Sequence, residues 1–510
     1  MQNPDSSSLW LTDDGLPEAL GKRTATGGAL AMGAQVIRVI LQIGSSAVLA
    51  RLIRPADFGL FAMALTVSSF VTIFSELGLS TATVQARSLS QRTVSSLLHL
   101  SVVVAVVAML LTILMSGAAS YFYKDIRVFY LGSTLSLAVP LGAAASQHMA
   151  LMGRRMMWFR INFISLFSQF LGVAIAILLA WLADLRYWAL AFQIIMASAA
   201  TVMLSWSMCS WRPSWIFDWN SCKAEIKFGL HMTGFSVTNY FHRQMDNVLI
   251  GWRWGAAELG FYSRSYNLLL LPLNFVSGAI SQVIMPLLSR SQDNAIEWRR
   301  YFLTALSFSC FGSIGITVVL ISNSDQIILF LLGPSWGYSA QIFYYLGLST
   351  FGMAAMSPMG WVFMSLGRTD RWFRWGLITA SVFPLAFLAG LPFHAIGVAK
   401  AYSLAVIVMA IPCIIYAMRD APATALDVFA AIRAPIIAGI STILMVRLLV
   451  PAIAFIDAPL VCLLISCSVA AVIFCSSALL LLFIDPAQRQ QRNVVTAIFR
   501  SRQEKKHPVT

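Results

Sequence analysis

Four stretches of this 510-residue chain place charged, amide and hydroxyl side chains at helical spacing inside apolar sequence. Gln35, Arg38, Gln42 and Ser45 follow intervals of 3, 4 and 3. Ser69, Thr72, Glu76 and Ser80 follow 3, 4 and 4, and Ser236, Asn239, Arg243 and Asp246 follow 3, 4 and 3. Arg264, Asn267 and Asn274 share one face of a later helix. Such groups suit binding rather than bond-making. A charge at the centre of a bilayer costs at least about 2.5–3.5 kcal/mol, so each needs a partner or a wet cavity. Asp246 and Glu76 are in addition the candidates for coupling to a proton or a sodium ion.

Motifs for other chemistry fail. GLPEALGKR at 15–23 mimics a P-loop, but its spacing is one residue too long and Arg23 stands where Ser or Thr is needed. There is no H-E-x-x-H and no G-x-S-x-G. The seven cysteines show no C-x-x-C spacing and read as small apolar side chains. No cofactor and no metal site is expected, and any transport draws on a gradient or on consumption of the product.

The elements that must position these residues follow from composition. The chain is 58% hydrophobic and only 11% charged, with a mean hydropathy of +0.77. A soluble domain carries about 25% charged residues, so this composition predicts an all-α polytopic membrane protein. A crossing needs roughly 20 apolar helical residues. Fourteen windows qualify, near 27–50, 56–78, 94–119, 128–150, 161–183, 187–210, 227–250, 257–286, 298–322, 338–366, 373–391, 395–418, 428–450 and 457–484. Pro140, Pro272, Pro358 and Pro412 are expected to kink helices rather than end them. Residues 1–25 are polar and show no signal-peptide pattern.

With the N-terminus in the cytoplasm, 24 Lys and Arg fall on inner segments and 7 on outer ones, leaving Arg38, Arg243, Arg264 and Lys400 within spans. That bias predicts both termini inside. It also accounts for the net charge of +14 through topology and attraction to anionic lipids, with no nucleic-acid partner.

The chain repeats itself. Val48-Leu49 matches Val248-Leu249 at an offset of 200, and Ala56-Asp57-Phe58-Gly59 matches Ala257-Glu258-Leu259-Gly260 at 201. The offset covers six windows, so both copies share one orientation, as in a parallel repeat. The expected organisation is a tail (1–25), an N-lobe of six helices (26–210), a Trp-rich interfacial linker (211–226), a C-lobe (227–418), two further helices (419–484) and a basic tail (485–510). The polar helices are the first two of each lobe, whereas the third reads SVVVAVVAMLLTIL. Two bundles facing each other would enclose a cleft with a net basic wall.

Plainer readings stand beside this one. Arg243 and Asp246 could neutralise each other in a packed interface. Arg264 and Lys400 could snorkel to the headgroups, Glu76 could be a solvated helix end, and His99, His148 and His231 could be structural.

The stretches LARLIRPADFGLFAMAL (49–65), FSELGLSTATVQ (74–85) and QMDNVLIGWRWGAAELGFYSRSYNLLLLP (244–272) resemble the polysaccharide-transporter family of the multidrug/oligosaccharidyl-lipid/polysaccharide exporter superfamily. They look most like its Wzx-type, colanic acid exporter branch, over roughly 27–420. Where that family usually reads L-T-P-E-D-F-G, this chain has Ile53-Arg54-Pro55-Ala56-Asp57-Phe58-Gly59. The resemblance implies two pseudo-symmetric bundles that alternate access. It implies that undecaprenyl-pyrophosphate-linked oligosaccharide is flipped across the bacterial inner membrane for exopolysaccharide, capsule or O-antigen synthesis. Membrane lipids and polysaccharide polymerase machinery are the implied partners. On that reading Arg38, Arg243 and Arg264 would meet the pyrophosphate, and Gln35, Gln42, Asn239 and Asn267 the sugars. The alternative is a cation-coupled multidrug exporter of the same superfamily, which would favour an acidic or aromatic cleft. A membrane enzyme acting on lipid-linked glycans would need a sizeable outer loop, and none is present.

Overall fold

In hydrocarbon every backbone N–H and C=O must be bonded within its own segment, and the long apolar runs therefore become helices. The computed structural model describes residues 10, 20–76, 79–86, 89–215, 217–219, 223–453 and 459–484, and every regular element among them is helical. The N-terminal tail with its P-loop-like stretch, and the basic tail beyond 484, lie outside the described residues. Contacts divide the chain into two compact units, residues 1–263 and 264–510. The boundary falls later than the Trp-rich segment.

The first unit holds α1 (Leu20–Leu52), α2 (Pro55–Glu76), the short α3 (Leu79–Gln85), α4 (Gln91–Tyr123), α5 (Ile126–Leu135), α6 (Ala138–Arg154), α7 (Trp158–Leu182) and α8 (Arg186–Met208). It ends with the first part of α9 (Lys223–Arg290). Within it α4 packs on α2, α5 and α6, while α7 packs on α1 and α8. The segment 211–219 is pinned to the start of α4. Trp211 is fully buried and donates from Nε1 to Gln91 Oε1 at 2.6 Å, and the amides of Ser214 and Asp218 donate to Ser95 Oγ and Ser96 Oγ, both at 2.9 Å. His148 is buried with its ring 4.5 Å from that of Trp206 and 5.2 Å from that of Trp211. It is a packing residue, and His231 is among the residues whose side chains are not described.

The second unit holds the rest of α9, then α10 (Ala295–Ser322), α11 (Ser324–Leu332), α12 (Gly337–Leu348), α13 (Thr350–Met356), α14 (Met359–Ser365), α15 (Thr369–Gly390), α16 (His394–Met418), α17 (Ala425–Ile453) and α18 (Pro459–Ile484). Here α16 carries α12, α13 and α15, and α17 packs on α10 and α18. Large apolar side chains such as Leu114, Trp181, Leu404 and Leu448 are exposed on both units, as lipid-facing residues must be.

Eleven segments among the described residues are long and apolar enough to cross a membrane, against the fourteen expected windows. The difference lies at three places. The segment Arg243–Arg290 is interrupted at Gly255 (φ +80°), and Thr369–Met418 at the turn before His394. The window 338–366 is carried by α12, α13 and α14, none of them long enough alone. Pro272 and Pro412 sit inside helices as expected, whereas Pro358 separates α13 from α14. A proline removes one backbone donor and clashes with the preceding turn, and beside Ser357 that suffices to break the segment.

The two copies of the repeat touch each other. A Cβ on Gly59 would lie 1.6 Å from the carbonyl oxygen of Ala256, and a Cβ on Gly260 would lie 1.9 Å from that of Pro55. Ala256 follows Pro55 by the same 201 residues that separate the two glycines, so the contact is reciprocal. Only glycine permits backbones to approach this closely.

Candidate functional site

The α1 stripe is half-open to its surroundings. Arg38 is half-buried and donates from Nη1 to Gln35 Oε1 at 2.9 Å. Gln42 is exposed, and Ser45 is buried and donates to the Gln42 carbonyl at 3.1 Å. On α9 Arg243 and Asp246, one turn apart, do not pair. Arg243 is exposed, whereas Asp246 is 3% exposed. The Asp246 carboxylate accepts from Tyr262 Oη at 2.9 Å and from the Asn247 amide at 2.8 Å. Tyr262 lies beyond Gly255, so this bond ties together the two arms of the interrupted helix. Asn247 donates in turn to Gln244 Oε1 at 2.7 Å.

Among the described residues neither Arg38 nor Arg243 has a carboxylate partner, and no contact joins the two. Arg264 is half-buried and Asn267 exposed, both in the second unit. Lys400 is exposed with Nζ 4.4 Å from the centre of the Tyr345 ring, a cation–π contact. The side chains of Glu76 and Asn239 lie outside the described residues.

The second-helix stripe has its own place. Ser69, Thr72 and Ser80 line a pocket of about 690 Å³ walled entirely by helices of the first unit. Ser68, Ser101 and Ser146 join them from α2, α4 and α6. The third window reads as dry in the sequence, and Ser101 and Ser146 are not among the expected site residues. Neither has a polar residue three or four positions away along its helix, so helical spacing carries no signal for it.

A second cavity, of about 680 Å³, was not visible in the sequence at all. It is an apolar groove in the second unit, formed by α12, α13, α16 and α17. Phe351, Ile411, Ile437 and Ile440 line it, and Arg433 is its one charged residue. The windows that build it read as ordinary lipid-facing helices.

The sequence profile described as polysaccharide biosynthesis protein matches residues 48–341, more than half of the chain. Teichuronic acid biosynthesis protein TuaB of Bacillus subtilis is 22% identical over 308 residues, which are 60% of this chain and 64% of that protein, just under two thirds of its length. Lipopolysaccharide biosynthesis protein WzxC of Escherichia coli K12 is 23% identical over 392 residues, covering 76% of this chain and 80% of the relative. Among solved structures, lipid II flippase MurJ in an inward closed conformation superposes with a TM-score of 0.71 at 13% identity, over 90% of this chain and 99% of that one. The shared fold is that of a multi-pass helical membrane protein.

Proposed function

The chain belongs to the polysaccharide biosynthesis protein family, and from that premise we propose that it is a flippase for undecaprenyl-pyrophosphate-linked oligosaccharide. The reading rests most on one observation. Arg38 and Arg243 lie in membrane helices, at least partly accessible, with no carboxylate to neutralise them among the described residues. A guanidinium in a membrane segment is stable only with water or an anion beside it. Its fork of donors matches the oxygens of a diphosphate. A cation exporter would instead present its acid to the substrate, and Asp246 is buried against Tyr262.

The apolar groove of the second unit suits the polyprenyl tail. Relatives named for teichuronic acid and lipopolysaccharide biosynthesis support a saccharide cargo. Asp246 is the candidate for coupling to a proton or a sodium ion, because it is a buried carboxylate without a basic partner among the described residues. In this reading the protein sits in the bacterial inner membrane with both termini in the cytoplasm, does no chemistry itself, and feeds a polymerase outside.

The test is export of polymer by cells carrying Arg38→Ala or Arg243→Ala, with protein level measured in parallel. Both variants are expected to abolish export at unchanged level. Export near wild type in both would remove the charge-based mechanism. Arg243→Lys restores export only partly if the bidentate fork matters, and fully if charge alone does.

A further inference from the structure

The first unit's pocket combines size, polarity and lack of charge in a way the arginines do not explain. Its volume of about 690 Å³ lies within the range of small-molecule sites, about 300–1,000 Å³. No ionisable residue lines it among those described, but hydroxyls converge on it from five helices, α2, α3, α4, α6 and α8. We propose that this pocket is the saccharide subsite, holding the neutral sugars of the cargo while the diphosphate stays with the arginines. The proposal deepens the flippase reading and rests on it.

The hydrogen bonds of the wall show what it can recognise. A hydroxyl has one proton to donate and two lone pairs to accept with. Ser69 donates to the Leu65 carbonyl at 2.7 Å, Thr72 to Ser68 at 2.8 Å, Ser101 to Leu97 at 2.8 Å and Ser146 to Ala143 at 2.7 Å. Ser68 does the same to Ala64 at 3.1 Å. The protons of Ser68, Ser101 and Ser146 are committed to their own helices, and their lone pairs remain. Ser80, Thr81 and Ser198 make no side-chain hydrogen bond among the described residues and can give or take a proton.

The wall is therefore rich in acceptors and poor in donors. Inside a membrane protein, where the dielectric constant is low, such a wall repels the oxygens of an anion. It rewards a ligand that brings its own O–H donors, and a sugar brings several per ring. Val139, Ala143 and Met149 offer apolar surface for the ring C–H groups. A site built to bond hydroxyls rejects a ligand without them more sharply than an apolar pocket rejects an extra methyl.

The experiment uses the full chain in lipid nanodiscs and native mass spectrometry with two probes. One is undecaprenyl diphosphate, and the other is the same lipid carrying a neutral disaccharide. The variant is Ser68→Ala/Ser101→Ala/Ser146→Ala, which removes three acceptors with little change of shape. The expected result is about a tenfold loss or more for the sugar-bearing lipid, with the bare lipid retained within twofold of wild type, which also shows that the variant is folded. An equal loss of both probes, or no loss of either, overturns the subsite. Wild-type protein that retains neither probe overturns the flippase reading, and the subsite with it.

Discussion

Two cavities of nearly equal volume, one in each unit, are lined by opposite chemistry. The first-unit pocket is ringed by serines and threonines, whereas the second-unit groove is walled by isoleucines and phenylalanines with a single arginine. In water a polar pocket is commonplace and an apolar groove needs explaining. In a bilayer the order is reversed, because apolar surface is already solvated by lipid and a cluster of hydroxyls is not. The first-unit pocket is tolerable because most of its hydroxyls are bonded to their own helices, so it can stand empty with few unbonded donors. The lesson is that polarity inside a membrane protein can be held in reserve at low cost.

The largest effect expected from breaking this contrast is in the groove. Ile411→Asn with Ile440→Asn places two amides where no partner exists, at about 1–3 kcal/mol each. Binding of undecaprenyl diphosphate to the purified protein should fall at least tenfold. Unchanged binding would take the prenyl tail out of the groove.

Next comes polarity that is buried rather than held at a wall. Tyr262→Phe removes the hydroxyl that donates to Asp246, leaving the bond from the Asn247 amide, and should destabilise the protein by about 1–3 kcal/mol, read as a lower thermal midpoint. Adding Asp246→Asn should recover part of the loss. A Tyr262→Phe protein as stable as wild type would show that the bond does not hold the two arms of α9 together.

Removing one hydroxyl from the pocket should matter far less to stability. Thr72→Val should change it by no more than about 0.5 kcal/mol, since the Ser68 carbonyl keeps its helical N–H bond. A drop as large as that of Tyr262→Phe would mean that the pocket is a structural network and would erase the contrast.

The smallest effect is one the units share. Asp125 bonds Arg127 at 2.7 Å in the first, and Asp420 bonds Arg371 at 2.9 Å in the second. The arginine in each pair holds the carboxyl below its usual pKa. Such a pair contributes above the ordinary aspartate pKa of about 3.9 and loses its contribution as pH falls through the lowered value. The stability difference between wild type and Arg127→Gln should be constant from pH 8 to pH 5 and shrink only in stronger acid. A difference that vanished near neutrality would assign the effect to another group.

Much of the molecule could be read from the chain. Apolar runs of bilayer length impose helices, because lipid offers the backbone no partner. The matched stretches Ala56–Gly59 and Ala257–Gly260 stand out in the sequence by their small and acidic residues, and in the structure Gly59 and Gly260 lie where backbones approach closely. Helical spacing found Arg38 with Gln35, which do bond, and Asp246, which is buried.

Spacing misled where it stood in for contact. Arg243 and Asp246 are one turn apart on a helix, yet the carboxylate turns to a tyrosine sixteen residues on. That choice depends on the break at Gly255, which brings Tyr262 alongside. Ser101 and Ser146 carry no periodic signal, and only the convergence of five helices makes their lone pairs one surface. The apolar groove likewise depends on α13, α16 and α17 coming together from three separate stretches of sequence. The sequence alone therefore determined which segments enter the membrane and which carry charge, since transfer to lipid is a property of each segment. The tertiary structure decided which polar groups face one another, since that depends on where helices break and which neighbours they acquire.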